Sequence, residues 1–161
     1  MQASSLDTTN HEGPTEELIT MGAHAWLRTG LIILALYHFI LGVWTQFLPH
    51  SFYDSFPTPG HAWVALLPPY NEHLLRDFGG LNLAMVIILG TAAAVVERRL
   101  TLTALAAAVV VEVPHMIFHT THLQNFPPPD AVIQTIALSV VMAIPLALLI
   151  PAWRLPRSQH E

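Results

Sequence analysis

The chain has no cysteine and no lysine, and it is poor in charge of either sign. Each absence removes a class of chemistry. Without thiols there are no disulfides, thiolate ligands, iron–sulfur clusters or cysteine nucleophiles, so any metal has to be held by nitrogen and oxygen. The six basic residues are all arginines, at 28, 76, 98, 99, 154 and 157, and they form no patch wide enough to engage a nucleic acid. Part of the formal charge of -5 comes from Asp7, Glu12, Glu16 and Glu17, which precede any hydrophobic run. Residues 1 to about 22 lack both a basic n-region and an apolar core. No cleaved signal peptide is expected there, and the segment reads as a disordered cytoplasmic tail.

What is present is mostly apolar. Hydrophobic residues make up 53% of the 161 and charged residues 11%, with a mean hydropathy of +0.50, the composition of a membrane protein. Four apolar runs, at about 25–48, 72–96, 100–122 and 131–153, are each long enough for a ~30 Å hydrocarbon core. They predict one all-α domain over 23–157, a four-helix transmembrane bundle. Trp26 and Trp44 stand near the two ends of the first span as interfacial anchors.

Residues 49–71 carry Pro49, Pro57, Pro59, Gly60, Pro68 and Pro69 among aromatics, which predicts a structured external loop without a long helix. Within it, residues 61–67 suit a short amphipathic turn. Asn71 is placed to cap the second span and Asp130 the fourth. The glycines entering the second span, where Gly80 shares a face with His73 and Asp77, allow a neighbouring helix to come close. Arg28, Arg98, Arg99, Arg154 and Arg157 fall on one side of this topology and Arg76 on the other, so the positive-inside rule puts both termini in the cytoplasm.

The costly residues lie in Val111-Glu112-Val113-Pro114-His115-Met116-Ile117-Phe118-His119-Thr120-Thr121-His122. At ~100° per residue, Glu112, His115, His119 and His122 fall within about 80° of arc on one helix face. A charged side chain in a spanning helix costs ~2.5–3.5 kcal/mol on insertion scales, so several on one face need a common reason. Glu112-x-x-His115 is half of the element that holds di-metal sites in carboxylate bundles, and His115 with His119 has the spacing of helical zinc sites. Asp77, His73 or His38 would complete a mononuclear site suited to Zn, Fe, Mn or Cu. Arg76 would hold an anionic group and Asp77 would orient a histidine. Tyr37 or Asn82 would supply a supporting hydrogen bond. A competing assignment is haem b between His38 and His115 or His119, and a further one is a proton relay through Glu112.

The segments Tyr37-His38-Phe39-Ile40-Leu41-Gly42 and Asn71-Glu72-His73-Leu74-Leu75-Arg76-Asp77-Phe78-Gly79-Gly80-Leu81-Asn82-Leu83-Ala84 resemble small four-helix membrane proteins of the DoxX-like kind and a group of uncharacterised actinobacterial membrane proteins. The resemblance covers mostly the first two spans. It implies a four-helix bundle and, for some DoxX-like members, a link to quinone or sulfur redox chemistry; no catalytic residue is carried over from it. The expectation is a multi-pass protein of the cell membrane with an outward-facing His/carboxylate site that binds a transition metal and supports redox or hydrolytic chemistry on a lipophilic substrate, a small molecule or a quinone. The alternative is a haem-binding or accessory subunit without catalysis, in a homo-oligomer or a larger membrane complex.

Overall fold

The computed structural model describes residues 14–67 and 69–157. Helix α1 spans Pro14–Phe47, α2 Pro49–Ser55, α3 Glu72–Val95, α4 Arg98–Thr121 and α5 Pro128–Trp153, with single 3-10 turns at Val64–Leu66 and Leu123–Asn125. Four stretches are long and apolar enough to cross a membrane: Met21–Phe47 and the whole of α3, α4 and α5. The expected all-α four-helix bundle is the observed architecture.

Two boundaries differ from the hydropathy pattern. α1 begins at Pro14, inside the segment 1–22 assigned to the tail, while residues 1–13 lie outside the described residues. At ~1.5 Å per residue, the 34 residues of α1 reach well past a ~30 Å core, and helix geometry continues where apolar composition stops. The second difference is α2, a helix inside the proline-rich loop. Pro49 opens it at the first helical turn, where a missing N–H costs nothing.

α1 lies against α3 and α5, and α4 closes the ring between those two. α1 buries Leu27, Leu31, Leu34, His38, Leu41 and Thr45, a stripe at helical spacing that faces the bundle axis. The tightest part of the core joins Leu27 and Leu31 to Leu89, Ala104, Leu105 and Leu148. Towards the other end burial thins: α4 beyond Glu112 and α5 between Gln134 and Pro145 have no fully buried side chain. A cavity occupies that end. The outward residues of the same helices, among them Ile33, Ile87, Val110, Ile136 and Ile150, are large, apolar and exposed, as a lipid-facing surface requires.

Close approach of α1 and α3 depends on glycine at two positions. A Cβ on Gly79 would stand 2.6 Å from the backbone N of Gln46, and one on Gly42 would stand 2.9 Å from Leu83 Cγ. The buried glycine of the Gly79-Gly80 pair is Gly79; Gly80 is exposed. One turn inward from this crossing, His38 of α1 meets Asn82 of α3.

The solid end of the bundle is finished by charged caps. Arg28 Nε donates to Ala93 O at 3.1 Å, and Arg98 Nε donates to Trp153 O at 3.3 Å with its guanidinium over the Trp153 ring. Cations thus sit on the carbonyl ends of α3 and α5, where the helix dipole favours them. Glu97 caps α4, its carboxylate accepting from Arg99 N at 3.0 Å and Leu100 N at 2.9 Å. Those two backbone bonds hold its carboxyl below the ordinary carboxylate range. A carboxyl depressed in the fold adds stability above its unfolded pKa, lost as pH falls through the folded value. Glu97→Ala is therefore expected to lower the thermal midpoint at pH 7. The gap to wild type should shrink as thermal scans move below pH 4, and an undiminished gap would assign the effect to packing instead.

At the other end, α2 and the Val64–Leu66 turn fold back as a strap. Phe52 meets Trp44 at 5.5 Å and Phe56 at 4.6 Å between ring centroids, and Trp63 N donates to Phe56 O at 2.8 Å. His61 Nδ1 lies 2.8 Å from Asp130 Oδ1, which ties the strap to the first turn of α5. Asp130 was expected to cap α5; the N-cap is Pro127, and the buried Asp130 carboxylate serves the strap instead. Asp130→Ala should accelerate hydrogen exchange at the strap amides of Ala65, Leu66 and Leu67 while leaving protection near Leu89 and Leu105 unchanged.

Candidate functional site: a two-chamber intramembrane cavity

The thinly buried end of the bundle holds two adjoining cavities, each partly open to its surroundings. The outer one has a volume of about 390 Å³ and is walled by α1, α3, α4, α5 and the strap, through residues such as Phe52, Phe56, Trp63, Phe78, Leu138 and Val141. The inner one, about 260 Å³, is lined by Tyr37, His38, Leu41, Phe78, Asn82, Val111, Glu112 and His115. Tyr37, Leu41, Phe78 and His115 line both, so these four stand between an apolar vestibule and a polar recess.

His38 is 1% exposed, and its Nδ1 lies 2.7 Å from Asn82 Oδ1. Asn82 Nδ2 donates to Phe78 O at 2.8 Å, which fixes the orientation of the amide. Glu112 is buried at 3% exposure and has no hydrogen bond or ion pair among the described residues. On the vestibule side, the His115 and His119 rings are 4.5 Å apart between centroids, edge to face. His119 Nδ1 lies 2.9 Å from Oε1 of the buried Gln134 on α5.

Among the described residues, five buried side-chain polar atoms have no hydrogen-bond partner, and three of them belong to residues that line this cavity: His38 Nε2, Trp63 Nε1 and Gln134 Nε2. An unsatisfied buried polar atom costs ~1–3 kcal/mol. Three on one cavity, from α1, the strap and α5, mark it as a place where polar partners are supplied from outside the chain.

The sequence-predicted site residues are divided by the fold. His38, Asn82, Glu112 and His115 share the inner recess, and His115 and His119 share the vestibule. His73, Arg76 and Asp77 do not join them. His73 pairs with Asp77 at 3.1 Å on an exposed helix face, so Asp77 orients a histidine outside the cavity. Arg76 bridges Glu72 at 2.8 Å and donates to Gln46 O at the end of α1. It fastens α3 to α1, each of its three nitrogens facing an oxygen of the chain itself. His122 leaves the strip as the C-cap of α4, where it stacks on Phe118 at 4.2 Å.

Among the described residues, no group of three His, Asp or Glu side chains comes together in a way that could hold a metal ion. The i, i+4 pair His115 and His119 is present, and no carboxylate joins it: Asp77 belongs to His73 and Asp130 to His61.

Two contributors were not assigned to the site from sequence. Gln134 is the only amide in an otherwise apolar fourth span, and that isolation was the available signal. Trp63 carried no signal, because its burial follows from the fold-back of the strap. No family model, curated protein or solved structure matches this chain.

Proposed function

We propose that this is an integral membrane protein that binds a lipophilic small molecule in the two-chamber cavity, its apolar body in the vestibule and its polar head in the recess of His38, Asn82 and Glu112. The observation that carries this reading is that three of the unpartnered buried polar atoms belong to residues lining two adjoining, mostly apolar cavities. Four spanning helices account for the lipid-facing surface but give no reason to bury His38, Glu112 and Gln134. A ligand that partners them does. A quinol-like molecule, the reduced and phenolic form of a quinone, has the required shape. Five of the six arginines flank the ends away from the strap, which supports cytoplasmic termini and a cavity near the outer face of the cell membrane.

The direct test is organic extraction of protein purified in native lipid, with mass spectrometry of what co-purifies above the bulk lipid background. Leu138→Trp, which places an indole in the vestibule, should remove that species without unfolding the bundle. A folded variant with unchanged small-molecule content would overturn the assignment.

A second reading is a bound transition metal or haem b with redox chemistry. It is favoured by one feature: His38 keeps Nδ1 on Asn82 and leaves Nε2 free, the arrangement of a ligating imidazole. A Soret band in the purified protein that disappears in His38→Ala would establish it over the first.

A further inference from the structure

The chemical class of the head group follows from the proton on one imidazole nitrogen, and the inference rests on the cavity being a ligand site. Asn82 Nδ2 is committed to Phe78 O at 2.8 Å, so the atom facing His38 Nδ1 at 2.7 Å is the amide oxygen. Two acceptors do not approach so closely, and Nδ1 therefore carries the hydrogen. In the neutral ring, Nε2 then presents a lone pair. It is buried and has no partner among the described residues.

The recess has no cation on its wall, and its remaining polar groups are Tyr37, Glu112 and His115. A carboxylate or phosphate head would enter beside the Glu112 carboxyl with nothing to neutralise it. An ether or ester offers acceptors only and would set its lone pair against that of Nε2. A hydroxyl satisfies the site, because it donates to Nε2 and can accept from the Tyr37 phenol.

We propose that the recess selects the hydroxyl head of a lipophilic alcohol or phenol, with O–H donating to His38 Nε2 and Asn82 acting as the positioning residue that fixes the ring tautomer. The vestibule holds the apolar body, and the two chambers adjoin at Tyr37, Leu41, Phe78 and His115, where one molecule would extend from one into the other.

The test uses full-length protein in lipid nanodiscs and three probes with the same apolar body: 4-octylphenol, 4-octylanisole and 4-octylbenzylamine. Binding is measured with radiolabelled probes and corrected against empty nanodiscs. The phenol is expected to bind about tenfold or more tightly than the anisole, since the ether leaves Nε2 unpaired. In folded His38→Phe the ratio should fall to near one, and Asn82→Leu should reduce it by releasing the tautomer. The wild-type comparison stands whether or not either variant folds.

Equal affinity of phenol and anisole would overturn the head-group assignment and leave the cavity reading intact. Tighter binding of the amine would overturn it in favour of a cation held by Glu112. A phenol preference that survives in folded His38→Phe would remove His38 from the role. Absence of binding by all three would overturn the cavity reading as well.

Discussion

Gly79→Ala is expected to destabilise the bundle and to empty the cavity in one step. The added methyl would stand 2.6 Å from Gln46 N, 2.8 Å from Thr45 Oγ1 and 2.9 Å from Gln46 Cα, and backbone atoms cannot rotate aside. Relief requires α1 and α3 to separate at their crossing. Overpacking of this kind costs ~1–3 kcal/mol, against at most ~1 kcal/mol regained from replacing a helical glycine.

The functional loss should exceed the stability loss. His38 and Asn82 meet one turn from the crossing at 2.7 Å, and a separation of the two helices by about 1 Å there would break that hydrogen bond. Two controls separate the causes. At Gly30 a Cβ would meet only the Leu148 side chain, which can move, and at Gly90 it would meet nothing within 4 Å. Gly90→Ala should be neutral or stabilising by up to ~1 kcal/mol. Thermal unfolding in detergent, with ligand content measured on the same samples, reads both effects. Equal midpoints for Gly79→Ala and Gly90→Ala would show that the crossing does not depend on glycine.

The second large effect has the opposite sign for stability. Glu112 is 3% exposed in a spanning helix with no hydrogen bond or ion pair among the described residues. Leucine has similar bulk and no polar atoms, and replacing buried ionisable groups by apolar ones of similar volume is often stabilising by ~1–4 kcal/mol. Glu112→Leu is therefore expected to raise the thermal midpoint and to lose the co-purifying ligand. That combination is the signature of a group kept for function at the expense of stability. A lower midpoint in Glu112→Leu would mean instead that the carboxyl holds the bundle together, and its place in the site would have to be given up.

The cavity makes sense of how the chain distributes its polar groups. Near the helix ends most charged groups are satisfied by neighbours: Arg76 by Glu72, His73 by Asp77, His61 by Asp130, and the Glu97 carboxylate by two backbone N–H groups. In the recess the pattern stops. His38 is held by one nitrogen and free at the other, Glu112 has no hydrogen bond or ion pair among the described residues, and on the vestibule side Gln134 is held by its oxygen and free at its nitrogen. Half-satisfied groups around one void are the feature on which the proposed ligand site rests.

The sequence by itself determined the four spans, because length and hydropathy in a ~30 Å hydrocarbon layer leave a chain of this composition few alternatives to helices. It also determined that Glu112, His115 and His119 share one face of α4, since that follows from ~100° per residue and nothing else. Which partner each polar group meets was decided by the tertiary structure. Helical periodicity says which residues share a face but not how far each helix is rotated or how closely two of them cross. The Gly42 and Gly79 contact sets that for α1 and α3, and so brings His38 to Asn82 across 44 residues of sequence. The strap does the same for His61 and Asp130 across 69. The expected grouping of His73, Arg76 and Asp77 with the α4 histidines failed for the same reason. Equal depth in the membrane places groups on one level, and only packing decides which of them face the same space.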